Sequence, residues 1–352
     1  MASLRRSHVI AAAFVAAAAA AGYGTFWFIE AGVVRNGLAD WTAGARAEGF
    51  IVAYGTPRLS GFPFSIAVHL DQPAITAPEG RWRWTGEAVE ADVRPWAFRH
   101  VTVHPLGRQE VGLLRAGETA LVSASAAKAT AVFDVDERGR LTQGSFDAED
   151  LSLEAAGAAA AASVHSVHLA LAGIGGAAAP AQGPALPQTA ALALDLEGIT
   201  LPAAEAGLLG PKLGPLTAEA QLRGPVDGKG PIEAIKAWRD AGGTLELKHF
   251  SLDWGPLQIS GNATLALDPN LQPEGAGTGE IRGFAETVDA LVGQGLVRPD
   301  AGALAKAAFG LLAKTPPGGG AKVLSIPLSI QRQTLYAGPF GLMKVPTIKW
   351  SG

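Results

Sequence analysis

FSIAVHL, residues 64–70, decides the fold class. Phe64, Ile66, Val68 and Leu70 recur with a period of two, and Ser65, Ala67 and His69 fall between them. A strand turns successive side chains to opposite faces, so this alternation predicts a half-buried β-strand. GEAVEADVRPW, residues 86–96, repeats it: Val89, Ala91 and Val93 alternate with Glu90, Asp92 and Arg94. One apolar face and one wet face are the mark of an antiparallel sheet.

Outward from this pair, similar runs recur at VTVH (101–104), TALVSASAAKATAVFDVD (119–136), LSLEA (151–155), SVHLALAG (166–173), ALALDLEG (191–198), GTLELKHFSLDW (243–254), QISGNATLALD (258–268) and KVLSIPLSIQ (322–331). So many strands require a long curved antiparallel sheet or a sandwich, and the fold class is mainly β with a few packed helices. Helical spacing appears in PIEAIKAWRDAGG (231–243), which begins at Pro231 and stops at Gly242-Gly243. It returns between Phe284 and Thr315, with a break near Arg298-Pro299-Asp300. GIGGAAAPAQGPALPQ (173–188) has loop composition and marks a candidate boundary near 173–190 between two halves of the fold.

The N-terminus has a different character. Arg5 and Arg6 precede an uncharged run from Val9 to Ile29, 21 residues that would rise about 31 Å as a helix. That length crosses a hydrocarbon core of about 30 Å. Tyr23, Phe26, Trp27 and Phe28 are amphipathic types suited to a membrane interface, and the two arginines predict a cytoplasmic N-terminus. The run is an uncleaved anchor, a cleaved secretory signal or a buried soluble helix, and its uncharged continuation to Ile29 favours the anchor. The expected order is then a cytoplasmic segment (1–8), a transmembrane helix (9–29), an amphipathic helix (30–50) carrying Val33, Val34, Leu38, Trp41 and Ala45 on one face, and a periplasmic β-rich body (51–352).

The net charge of −4 gives no electrostatic ground for a nucleic-acid partner. The chain has no cysteine, which removes disulfides, thiolate nucleophiles and Cys-ligated zinc. Aromatic residues make up only 7% of the chain, yet SGFPF (60–64) and RWRW (81–84) concentrate them. Pro63 belongs at a strand start or edge because it offers no ladder donor, and Gly61 permits the turn before it. Period two places Trp82 and Trp84 on one side of their strand. Phe62, Phe64, Trp82 and Trp84 are therefore either packing residues or the lining of an apolar groove for a phospholipid or fatty acyl ligand.

GFPF opening a strand, RPW (94–96), LDWGPLQISGNATLALD (252–268) and the ending AGPFGLMKVPTIKW (337–350) resemble the bacterial family called domain of unknown function number 2125. The repeated strand-turn-strand units, with Ser260 to Gly275 as the example, are more remotely similar to AsmA-like envelope proteins. That resemblance implies an N-terminal membrane anchor and lipid handling by a folded-over apolar sheet. It supplies no catalytic residues and no cofactor.

The remaining motifs read as structure. His100 and His104 are four apart, but on a strand four residues advance about 13 Å, too far for one ion. DVDERG (134–139) begins like a calcium loop but lacks its later ligands and reads as a tight hairpin. GPVDGKG (224–230) is a residue short of a phosphate loop, and GAGTGEIRG (275–283) lacks the dinucleotide-binding order. No motif assembles a nucleophile, base and oxyanion donor. The expectation is a non-enzymatic inner-membrane protein handling envelope lipid. The alternatives are an assembly partner of other envelope proteins and a periplasmic hydrolase.

Overall fold

The computed structural model describes the backbone of residues 2–115, 118–137, 140–157, 160–173, 186–202, 209–226, 228, 230–316, 319–348 and 350, and the side chains of these except 2–20, 114, 115, 118–120 and 231. The chain forms two compact units, Met1–Ser125 with Ala129–Val132, and Ala126–Lys128 with Phe133–Gly352. The boundary expected near 173–190 lies mostly outside the described residues.

The first unit begins with α1 (Ala2–Ala47), one continuous helix where the sequence predicts two. Nothing between the predicted segments breaks it, because Glu30 and Arg35 are good helix formers. It ends where Gly49 takes φ 90. The Gly49 N–H there reaches the Arg46 carbonyl at 3.1 Å and the Phe50 N–H the Ala45 carbonyl at 3.0 Å, satisfying carbonyls the last turn leaves free. Arg5, Arg6 and most of the run 9–29 have side chains outside the described residues. Among the described residues no helix is long and apolar enough to cross a membrane.

After α1 come β1 (Ile51–Ala53), β2 (Arg58–Ser60), β3 (Ile66–Asp71), β4 (Ala74–Thr76), β5 (Trp82–Arg94), β6 (Ala97–Arg115), β7 (Glu118–Ser125) and β8 (Lys128–Val135), of which only Ala129–Val132 belong to this unit. β3 and β4 lie end to end along β5, with Ile66 opposite Val93 and Thr76 opposite Arg83. β2 and β1 extend them outward, and β6 runs antiparallel to β5 on its other edge. Trp27 and Ala31 of α1 are buried against Ile66 and Val93, with Val34, Leu59, Phe98 and Val101 packed around them. Ala67 is buried as well as Ile66 and Val68, although alternation predicts a wet face there. It stands between Ser60 and Asp92 on neighbouring strands, and a methyl group loses nothing when its neighbours close over it.

The second unit is a meander of β9 (Leu141–Ala155), β10 (Ala162–Ala172), β11 (Gln188–Glu197), the short β12 (Ile199–Thr200), β13 (Lys212–Arg223), β14 (Thr244–Trp254), β15 (Leu257–Leu267), β16 (Pro273–Arg282), β17 (Leu324–Gln331), β18 (Thr334–Ala337) and β19 (Phe340–Lys344). Apart from β12, which lies beside β10 and β13, each strand pairs antiparallel with the next. α2 (Pro231–Asp240) joins β13 to β14, and α3 (Phe284–Gly293) and α4 (Pro299–Leu312) fill the step from β16 to β17. The helical stretches read from spacing match these three helices. Gly243 is held bare at the end of α2, because a Cβ there would lie 2.5 Å from Cδ1 of Trp238.

Candidate functional site

Directly paired residues on neighbouring strands project to the same face, so the registers of the second unit can be followed across its sheet. One ladder runs Leu171, Leu192, Ala220, Leu247, Ala263, Gly277, Leu328. The next, two residues along, runs Phe146, Leu169, Leu194, Ala218, Phe250, Gly261, Gly279, Ile326. Flanking them are Ala148, Val167, Leu196, Leu216, Leu252, Ile259, Ile281, Leu324 on one side, and Ala190, Leu222, Leu245, Leu265, Gly275, Ile330, Leu335, Met343 on the other. No polar side chain interrupts any of the four. The bulge between Leu247 and Phe250 keeps β14 in phase by inserting one residue, so both remain on the apolar side.

The reverse face is largely polar, with alanines such as Ala170, Ala193 and Ala276 among its polar residues. Asp147, His168, Asp195, Thr217, Ser251, Ser260, Glu280 and Ser325 form one ladder there. The Thr217 and Ser251 hydroxyls are hydrogen-bonded at 2.8 Å, and Nδ1 of His168 lies 2.6 Å from the Asp147 carboxylate. Glu246 on this face is ion-paired with Arg223, whose Nε lies 2.8 Å from the carboxylate, and with Lys248. The Lys248 hydrogen bond and then that of Arg223 hold its carboxyl below the ordinary value, against the smaller opposing effect of burial.

On the apolar side the central ladders are only half-buried, and Leu192 retains 38% of its exposure; Leu245, in the flanking ladder nearer α2, retains 36%. The face measures about 29 Å from β10 to β17 and about 20 Å along the strands at ordinary spacings. Glycines permit its close curvature at β15 and β16. A Cβ on Gly277 would lie 2.8 Å from Cβ of Ala263, and one on Gly275 would lie 2.9 Å from Cδ2 of Leu265.

Helices occupy the two ends of this face. Near the Leu222 ladder, α2 and the C-terminal segment enclose a cavity of about 330 Å³ lined by Leu222, Leu245, Leu265, Ile235, Trp238 and Trp350 among others, all apolar. Trp238 donates its indole N–H to the Arg223 carbonyl at 2.7 Å, and Trp350 donates to the Leu271 carbonyl at 2.7 Å. With both N–H groups satisfied, the walls offer ring and methyl surface alone. α3 and α4 pack through Phe284 and Phe309, whose rings meet edge to face at 6.0 Å, and touch β15 and β17. Leu324, at the end of its ladder, is buried there.

The residues singled out in the sequence fall elsewhere, in the first unit. Phe62 and Phe64 lie in the turn before β3, with the Phe62–Pro63 peptide cis. They are 56% and 75% exposed, so Phe64 does not join Ile66 on the strand. Phe62 meets Trp27 edge to face at 5.5 Å and Tyr23 at 6.4 Å. Tyr23 donates to the Pro63 carbonyl at 2.5 Å and Trp27 to the Ser65 carbonyl at 2.8 Å. Trp27 is thus turned onto the sheet, whereas Phe26 and Phe28 face outward. Trp82 packs on Phe50 at 6.1 Å. It starts β5, while Val93, opposite Ile66, lies near its end, about 35 Å away along the strand. Trp84 lies over Gly86. The structure therefore brings Phe62 to Trp27 and Trp82 to Phe50, and does not bring the four predicted groove residues together.

His100 and His104 lie on β6 as expected, and His165 pairs with Asp150 at 2.8 Å across β9 and β10. Among the described residues no group of three His, Cys, Asp or Glu is placed to hold a metal ion. Asp136 and Arg140 form a 2.7 Å ion pair, while residues 138 and 139 of DVDERG lie outside the described residues.

This two-faced sheet belongs to a bacterial class without an assigned activity. A family model matches residues 27–346, and the chain belongs to that family, described as an uncharacterized protein conserved in bacteria (DUF2125). No curated protein and no solved structure matches the chain.

Proposed function

We propose that the chain is a non-enzymatic protein of the bacterial envelope, anchored in the inner membrane by the first half of α1, and that it holds lipid acyl chains on the apolar face of its second unit in the periplasm. The observation that carries this reading is the set of four apolar ladders from β10 to β17, left half-exposed at their centre. Exposed apolar patches of more than a few hundred Å² mark binding surfaces in soluble domains. One leaflet of a bilayer is about 15 Å of hydrocarbon, which the face accommodates along its strands. The cavity beneath Trp238 is of the size that takes small apolar ligands, roughly 300–1,000 Å³.

Full-length protein extracted gently from membranes is expected to carry phospholipid detectable by mass spectrometry. A variant with Leu192→Asp and Leu245→Asp is expected to lose it. Equal lipid on both proteins, or none on either, would count against the reading.

A further inference from the structure

We infer that the first unit carries a separate lipid contact, in which the SGFPF turn and α1 enter the headgroup layer and Arg35 pairs with the phosphate of an anionic phospholipid. A groove of about 650 Å³ runs between α1 and this turn, lined by Trp27, Phe28, Ala31, Arg35, Leu59 and Phe62 among others. Trp27 and Tyr23 hold the turn against the helix by their hydrogen bonds to Ser65 and Pro63, so the groove is built by fixed backbone. Around it Phe28, Ile29 and Val33 of α1 stand exposed beside Phe62 and Phe64. Burying such residues in water-free surroundings is favourable, and aromatic rings favour the interfacial layer.

Arg35 supplies the polar end of the groove. Its guanidinium has no ion-pair partner among the described residues, whereas the exposed Arg58, Arg140 and Arg298 each hold an aspartate. Planar guanidinium matches phosphate oxygens in a two-pronged geometry. Apolar rings beside an unpaired cation complement an amphiphile with a negative head, so the occupant is an anionic phospholipid of the bilayer surface. This contact uses residues distinct from the acyl-binding face and stands or falls independently of it.

The absence of cysteine makes the test direct. Full-length Phe64→Cys and Phe28→Cys proteins, labelled with an environment-sensitive dye, are placed in vesicles of equal parts phosphatidylethanolamine and phosphatidylglycerol with iodide on both sides. The labels are expected to shift to the blue and to be quenched several-fold less than a label at Asp195→Cys on the polar sheet face. Quenching of the Phe64 label equal to that of the Asp195 label would overturn the site whatever position 28 shows, because the proposed anchor alone would shield that position. Adding Arg35→Gln is expected to raise the phosphatidylglycerol needed for the half-maximal shift about fivefold. An unchanged requirement would overturn the phosphate contact, and a fivefold rise would support it.

Discussion

In the first unit the apolar side of β3 and β5 lies beneath α1, and Ile66 keeps 0% of its surface in solvent. In the second, Leu192 and Leu245 occupy the same kind of strand position and keep 38% and 36%. Both sheets alternate apolar and polar residues. The difference lies in what covers them: α1 brings Trp27 and Ala31 onto its sheet, whereas α2 and the α3–α4 pair occupy only the ends of theirs. Periodicity therefore identifies an apolar face but not whether protein or another molecule covers it.

The sharpest way to break this comparison is to place a carboxylate on each face. Val68→Asp is expected to destabilise the protein by about 4 kcal/mol or more, since a buried unpaired charge has no compensation. Leu192→Asp is expected to cost about 1 kcal/mol, because its side chain already meets water. Urea midpoints measure both, and similar losses would mean the second face is closed. Trp27→Ala is expected to cost about 3–5 kcal/mol by removing the ring that seals the first sheet.

How much of this was readable in advance depended on which residues carried the signal. The strands rich in leucine and valine, such as ALALDLEG in β11 and GTLELKHFSLDW in β14, announce themselves by period two. The three later helices announce themselves instead by helical spacing, with Pro231, Pro299 and glycines at their bounds. β16 does not. Its sequence PEGAGTGEIR shows no apolar alternation, because glycine has no strand preference. It is a strand because Gly275, Gly277 and Gly279 lie on the apolar face where neighbours crowd them.

The site was less legible still. The aromatic clusters SGFPF and RWRW lie at opposite ends of the first sheet. The open apolar face consists of ordinary Leu, Ala and Ile, and its continuity exists only once the registers are known. Trp238 and Trp350 were missed because they are 112 residues apart in the chain and converge only on the cavity. Spacing within AWRD or IKW carries no trace of that meeting.

A smaller effect sharpens the account of β16. Gly277→Val is expected to destabilise by about 1–3 kcal/mol through overpacking against Ala263, measured by the same midpoints. An unchanged midpoint would mean that the strands are not held so close.

The smallest effect belongs to the polar face. The folded-state pKa of Glu246 is depressed, so its contribution to stability is complete above the unfolded carboxyl value and fades as pH falls through the folded one. Glu246→Gln is expected to lower stability at neutral pH and to narrow its gap from the parent protein below about pH 4. A gap constant from pH 7 to pH 3 would contradict this.

The central claim concerns which molecule touches the open face. A photoactivatable benzophenone side chain placed at position 192 or 245 in the full-length protein, and separately at 195 on the reverse face, tests it in living cells. The account predicts phospholipid adducts at 192 and 245 and few at 195. Adducts to protein alone, or the same lipid yield on both faces, would contradict it.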